Sequence, residues 1–259
     1  MSGIDVVRAW TPAGFVPVDE PVTATLAGDS WLVDDGLVLA AARHRRRFAD
    51  AVAELGGSVQ DALDAAEQAS LLAPQTGRWS PRLDLTPTGI RLRIRPAPEA
   101  GGVVDVATAA RDPRTLPLRK GPDLAALGVL QEEQSASLGR PVEPVLLGGD
   151  GEVAESTRSA VLWWRGDALC LPQASTLRLP SVTAAEVLEI AQAAGVAVRE
   201  ERALPADLAG CEVWLVNALR GIRAVRSWVG GPAVATAVRA ARWQATLSDR
   251  RTAPVAARR

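Results

Sequence analysis

The chain is 259 residues long, 47% apolar and 23% charged, with a net charge of −1. That composition fits a soluble globular protein of one large domain or two modest ones, with no global field to attract nucleic acid or an anionic membrane. No apolar run is long enough to span a bilayer. Met1-Ser2-Gly3-Ile4-Asp5 lacks the basic-then-apolar pattern of a secretory signal, so the cytoplasm is the expected compartment. Cys170 and Cys211 are isolated in apolar runs, and with one histidine in the chain they suggest neither a disulfide framework nor a metal site.

The first thirty residues are rich in Pro, Gly and Thr and give weak signals. Trp31–Val33 reads as a strand, turning at Asp34-Asp35-Gly36 into a second strand, Leu37–Ala41. A helix follows from Arg43 to Leu55 and stops at Gly56-Gly57. Val59 to Leu72 is a second helix with an Ala-rich apolar stripe. Arg82–Leu85 and Ile90–Arg95 flank a Pro-Thr-Gly turn. The second of these alternates strictly, which puts Arg91, Arg93 and Arg95 on one face of a strand. Val103–Ala109 is another strand, and Asp112–Leu118 reads as a linker. Residues 1–113 are therefore taken as a small N-terminal α+β domain and 114–259 as a larger C-terminal domain.

The second half starts with a helix, Asp123–Leu138. Strands are expected at Glu143–Leu147, Val161–Trp164, Asp167–Leu171, Val196–Glu200 and Cys211–Val216, and a helix at Ser181–Ala194, closed by Gly195. The tail from Arg250 is basic and reads as frayed. Helices and strands mix without a regular βαβ rhythm, so the fold class is α+β or mixed α/β rather than a doubly wound sheet.

Lys120 is the one lysine among 29 basic residues. Arginine is too basic to act as an amine nucleophile, whereas a desolvated lysine loses its proton and forms a Schiff base. The rest of the candidates are individually ordinary. Glu155 precedes an apolar strand. Leu179-Pro180-Ser181-Val182-Thr183 opens a helix with the form of an N-cap, which is also the form of an anion site. Asn217-Ala218-Leu219 follows a strand, and His44-Arg45-Arg46-Arg47-Phe48 lies in the first helix.

In order and spacing, however, these residues resemble the fold-type IV pyridoxal-phosphate enzymes, the class IV aminotransferases. The family's H-x-x-R-(L/F) helix is matched by His44, Arg47 and Phe48, and its Schiff-base lysine at the domain junction by Lys120. Its G-x-x-x-E-(S/T) turn is matched by Gly151 and Glu155, and its L-P-G-(I/V)-T helix start by Leu179 to Thr183. Its final strand-end pattern is matched by Asn217-Ala218, Ile222 and Val225. The resemblance covers roughly residues 30 to 230.

It implies a two-domain fold of the D-amino-acid-aminotransferase kind, with a pseudo-barrel as the larger domain, and a homodimer. It implies pyridoxal 5′-phosphate as cofactor, held covalently by Lys120. Glu155 would face the pyridine nitrogen and keep the ring protonated. Arg47 would clamp the phosphate, Val182 and Thr183 would cradle it at the helix start, and Leu179 would pack on the ring. Asn217 and Ala218 would close the far side of the phosphate through backbone N–H groups. The face of Arg91, Arg93 and Arg95 is either a solvent face or one from which one arginine holds a substrate carboxylate.

The chain also departs from the family. Ser181 replaces a Gly, Ala184 an Arg, Ala160 an Asn, Ala224 a Pro and Ala218 a Thr. There is no tyrosine, and Lys120-Gly121-Pro122-Asp123 lacks the branched-chain run. The leading expectation is an aminodeoxychorismate lyase, which releases pyruvate and forms 4-aminobenzoate. The alternatives are an aminotransferase for a D- or branched-chain amino acid, and a homologue that keeps the fold without the catalysis.

Overall fold

A computed structural model describes residues 6–22 and 24–254, so Met1 to Asp5, read above for a signal, lie outside the described residues. The chain divides into two units. The first holds Met1–Glu99, Arg119–Pro122 and Arg250–Arg259, and the second holds Ala100–Leu118 and Asp123–Asp249. The sequence division at 113/114 falls inside the stretch 100–118, which packs with the second unit, while Lys120 packs with the first. Backbone pairing explains both placements. Val103–Thr108 is a strand of the second sheet, and the carbonyl of Lys120 accepts the N–H of Gly28, on a strand of the first, at 2.7 Å.

In the first unit the strands are β1 (Arg8–Thr11), β2 (Gly14–Pro17), β3 (Ala27–Ser30), β4 (Val33–Asp34), β5 (Leu37–Val38), β6 (Arg78–Thr86) and β7 (Gly89–Pro96). They form one sheet in the order β2-β1-β7-β6-β4-β5, with β3 also paired to β6. The β6–β7 register sets Leu83 opposite Leu92 and Leu85 opposite Ile90, and on the other face Arg82 opposite Arg93 and Asp84 opposite Arg91. The apolar face is covered by α1 (Ala41–Glu54) and α2 (Val59–Leu72). Phe48, Ala49 and Val52 of α1 and the Ala62, Ala65, Ala66, Ala69 stripe of α2 join Leu83, Ile90 and Leu92 in one core. Small side chains at helical spacing let α2 approach closely.

Several local expectations are corrected. The strand read at Trp31–Val33 is displaced: β3 ends at Ser30, and Trp31 and Leu32 are buried connecting residues. The strand Leu37–Ala41 shortens to Leu37–Val38, because α1 begins at Ala41 after Ala40, which has φ 50°. The tail is pinned rather than frayed at its start. Arg251 pairs with Asp34 at 2.9 Å, and Thr252 and Val38 exchange backbone hydrogen bonds.

The second unit carries β8 (Val103–Thr108), β9 (Glu143–Leu147), β10 (Val153–Ser156), β11 (Ala160–Arg165), β12 (Ala168–Pro172), β13 (Val198–Glu201), β14 (Glu212–Asn217) and β15 (Gly221–Val229). Their order is β10-β9-β8-β15-β14-β11-β12-β13, and an added β10–β11 pairing, Glu155 opposite Ala160, closes six of them into a ring. Alternate residues of the ring, including Val106, Val145, Val161, Trp163, Val213, Leu215 and Val225, form its core. Its helices are α3 (Leu124–Ser137), α4 (Val182–Ala193) and α5 (Ala240–Asp249). The architecture is thus mixed α/β, with an α+β first unit and a closed-sheet second unit.

Candidate active site

Lys120 is held on the edge of β3. The hydrogen bond from Gly28 to its carbonyl fixes the backbone, and the next residue, Gly121, has φ +126°. A Cβ on Gly121 would lie 2.8 Å from the Gly28 nitrogen and 2.9 Å from the Ala27 carbonyl carbon, so only glycine permits this approach. The Lys120 Nζ then lies 3.7 Å from Oδ1 of Asp29, with its side chain 20% exposed.

Asp29 itself is fully enclosed and makes four close polar contacts besides Lys120. Oδ1 accepts the Ser30 N–H at 2.6 Å and Nη2 of Arg47 at 2.7 Å, and faces Nδ1 of His44 at 3.1 Å; Oδ2 accepts Nε of Arg47 at 2.8 Å. His44 and Arg47 are three residues apart in α1 and so share one helix face, set against β3.

The charges follow from this enclosure. Burial alone would raise the Asp29 carboxyl, but Arg47, then His44 and Lys120, hold it well below the usual carboxylate range. Burial lowers the His44 imidazole against the pull of Asp29. A neutral ring facing an ionised carboxylate places its proton on Nδ1, as donor. Burial also pushes Lys120 down to about 8, with Arg47 and Arg82 adding to the effect and Asp29 opposing it. Near neutral pH a fraction of Lys120 is therefore free amine, the form that attacks a carbonyl.

A separate cluster surrounds Glu155 in the second unit. The sequence placed this residue in a turn; it lies in β10, at the pair that closes the ring. Its Oε1 accepts Nη1 of Arg114 at 2.5 Å, and its Oε2 accepts the Leu179 N–H at 3.3 Å. Arg114, with a side chain 5% exposed, also bonds Asp112 through Nε and Nη2 and the Leu177 carbonyl through Nη1. Burial raises the Glu155 carboxyl and Arg114 opposes it. Leu179 thus contributes its backbone N–H to the carboxylate.

Helix α4 begins where the sequence put it. Ser181 is its N-cap and accepts the Ala184 N–H at 3.2 Å. Val182 and Thr183, both buried, occupy the first turn, whose N–H groups have no partner within the helix. Asn217 ends β14 and its side chain is spent on the turn. Oδ1 accepts the N–H groups of Leu219 and Arg220 at 3.1 and 2.9 Å, and Nδ2 donates to Ser159 Oγ at 2.9 Å. Ala218 is half-buried beside it.

The three arginines of β7 have distinct surroundings. Arg91 is buried, bonded to Thr88 and to Glu20 at 3.4 Å. Arg93 donates to Asp84 at 2.7 Å, a carboxylate that it shares with Arg82, and Arg95 is exposed. Within the first unit the structure brings Arg47 and Lys120 together; within the second it brings Glu155 and Leu179 together.

Sequence reasoning missed Asp29, Arg114 and Arg82. Asp29 sits in a Gly- and Thr-rich stretch without periodicity, and Arg114 in an apparent linker. The usable signal was indirect: a buried amine and a buried carboxylate each require a partner of opposite charge.

A family model described as Amino-transferase class IV matches residues 27–228. No curated protein matches the chain in sequence. Among solved structures, it is similar to a protein from Legionella pneumophila subsp. pneumophila str. Philadelphia 1 named as a candidate 4-amino-4-deoxychorismate lyase. The identity is 17% over 86% of this chain and 90% of that one, with a TM-score of 0.72. It is also similar to the branched-chain amino acid aminotransferase of Thermobaculum terrenum in its PLP form, at 15% identity over 95% and 94% of the chains and a TM-score of 0.77. An aminotransferase from Brucella abortus bound to PLP gives 15%, 94% and 98%, and 0.76. These likenesses establish the fold, and the family match spans most of the chain, including Arg47, Lys120, Glu155 and Asn217: the protein belongs to the class IV aminotransferases.

Proposed function

We propose that the protein is a pyridoxal-phosphate enzyme that acts on 4-amino-4-deoxychorismate, releasing pyruvate and 4-aminobenzoate. The observation that carries the cofactor assignment is Lys120. It is the sole lysine, desolvated to a pKa of about 8 and pinned by its own backbone. The residues fit the group: a nucleophilic amine, an arginine fork, a helix start with free N–H donors, and a buried carboxylate. When bound, the cofactor supplies an electron-accepting ring.

Lys120 would hold it covalently and afterwards move a proton at the substrate carbon. Glu155 would hold a proton at the pyridine nitrogen, its carboxylate oriented by Arg114 and the Leu179 N–H. Val182 and Thr183 N–H groups would take phosphate oxygens. Arg47 would bring its charge to the phosphate while Asp29 takes its Nε and Nη2. Asn217 and Ala218 would contribute backbone rather than side chain, in keeping with the turn that occupies the Asn217 side chain.

The lyase reading is supported by the Asn217-Ala218-Leu219 stretch, by the absent branched-chain run after Lys120, and by the likeness to the Legionella protein. The likeness to named aminotransferases supports a second reading, amino-group transfer from an amino acid. One experiment separates them. Enzyme supplied with 4-amino-4-deoxychorismate is assayed for 4-aminobenzoate, and in parallel its absorption spectrum is followed with a panel of D- and L-amino acids. Formation of 4-aminobenzoate without a spectral change toward the amine form of the cofactor supports the lyase. The reverse pattern replaces it with the aminotransferase.

A further inference from the structure

We propose that Asp29 is a positioning residue of the lysine site, whose single carboxylate orients Arg47 and supplies the counter-charge that keeps the Lys120 amine in place and in reserve. The proposal rests on the cofactor reading above only for its purpose; its geometry lies wholly within the first unit.

The arrangement is specific. Asp29 is 1% exposed, on a strand that pairs with β6 and faces α1. Both its oxygens are in use: Arg47 takes one from Nε and the other from Nη2, a bidentate fork that fixes the guanidinium plane. His44 and the Ser30 N–H also converge on Oδ1, so the carboxylate cannot rotate without losing them. Lys120, at 3.7 Å, is the most distant of the partners, just beyond hydrogen-bond length. An ion pair at that separation supplies charge without clamping the amine.

The charged groups around Lys120 are Asp29 on β3, Arg47 and the neutral His44 on α1, and Arg82 on β6, itself bonded to Asp84. Without Asp29, Lys120 would face two cations. Its ammonium form would be expelled, and Arg47 would lose the partner that sets its plane. With Asp29 present, the amine stays partly protonated and in position, and it can give up its proton when a carbonyl approaches.

The lone lysine makes this measurable without turnover. The full-length chain, freed of cofactor, is pulsed with trace acetic anhydride from pH 6 to 10, and acetylation of Lys120 is read by mass spectrometry against the N-terminal amine. The wild-type midpoint is expected near pH 8. Asp29→Asn keeps the shape and removes the charge, and its midpoint falls by about one unit or more. Asp29→Glu keeps the charge and stays nearer the wild type. Arg47→Met removes the competing cation, and the midpoint rises. Should Asp29→Asn fail to fold, the rise expected in Arg47→Met, where Asp29 faces Lys120 without its competing cation, still decides.

A Lys120 midpoint unmoved in folded Asp29→Asn or in Arg47→Met would overturn the proposal. So would a fall in Arg47→Met. The cofactor reading is tested separately: if the Asp29 shifts appear but pyridoxal phosphate adds nowhere on the chain, the positioning role stands and the cofactor assignment fails.

Discussion

Two charges in confined places face opposite problems at the scale of single residues. Lys120 is a cation in an enclosed place, and its pKa falls. Glu155 is an anion in an enclosed place, and its pKa rises. In each case one partner of opposite charge limits the shift: Asp29 for Lys120 and Arg114 for Glu155. Arg114→Met would strand the Glu155 carboxylate, and breaking such an enclosed pair is expected to cost about 3–5 kcal/mol, read by urea unfolding. Glu155→Gln keeps the shape and removes the charge, and its turnover is expected to drop about a hundredfold or more with little change in the melting temperature.

Asp29 ties stability to acid pH. Its carboxyl lies below its unfolded value, so the folded state binds fewer protons than the unfolded state between the two values. Its contribution is fully present above pH 4, near the unfolded value, and is lost as pH falls through the folded one. Thermal melts of wild type and Asp29→Asn should therefore converge on acidification; a constant gap down to pH 2 would contradict this.

The lysine is placed by backbone pairing and a glycine at the scale of elements. Gly121→Ala would force a side chain into the Gly28 backbone at φ +126°, and a loss of more than about 1 kcal/mol is expected, together with slower acylation of Lys120. Unchanged stability and reactivity in that variant would show that the approach to β3 is not needed.

The same scale explains what could be read from sequence. Val59–Leu72 and Glu143–Leu147 were legible to the residue, since a helical Ala stripe and a bounded apolar run each carry a period. Ser181 was legible as a cap. The strands β1, β2 and β3 were not, because four-residue segments in a stretch rich in Pro, Gly and Thr carry no period of their own and are held by pairing, β2 to β1, β1 to β7 and β3 to β6. The same holds for β10, four residues that are strand only because β9 and β11 flank them. α5 was missed because its Trp and Arg positions mix on one short helix. Trp243 there packs against Trp164 and Trp214, contacts far away in sequence.

Over the whole molecule, the fold was legible more from the order of its candidate site residues than from its elements. Motif spacing led to Arg47, Lys120, Glu155 and the start of α4, the residues proposed above to hold the cofactor. The charges paired with Lys120 and Glu155, those of Asp29 and Arg114, left no such trace; their identity is fixed only by which strand or loop the fold lays beside each. No described helix is long and apolar enough to cross a membrane.

The central claim is that the only lysine is the cofactor-bearing residue, and it can be tested directly. The protein is incubated with pyridoxal phosphate, reduced with borohydride, digested and mapped by mass spectrometry. A reduced cofactor adduct on Lys120 is expected, and its loss in Lys120→Ala. An adduct confined to the N-terminal amine, or none at all, would contradict it and leave a chain that has the fold of these enzymes without their chemistry.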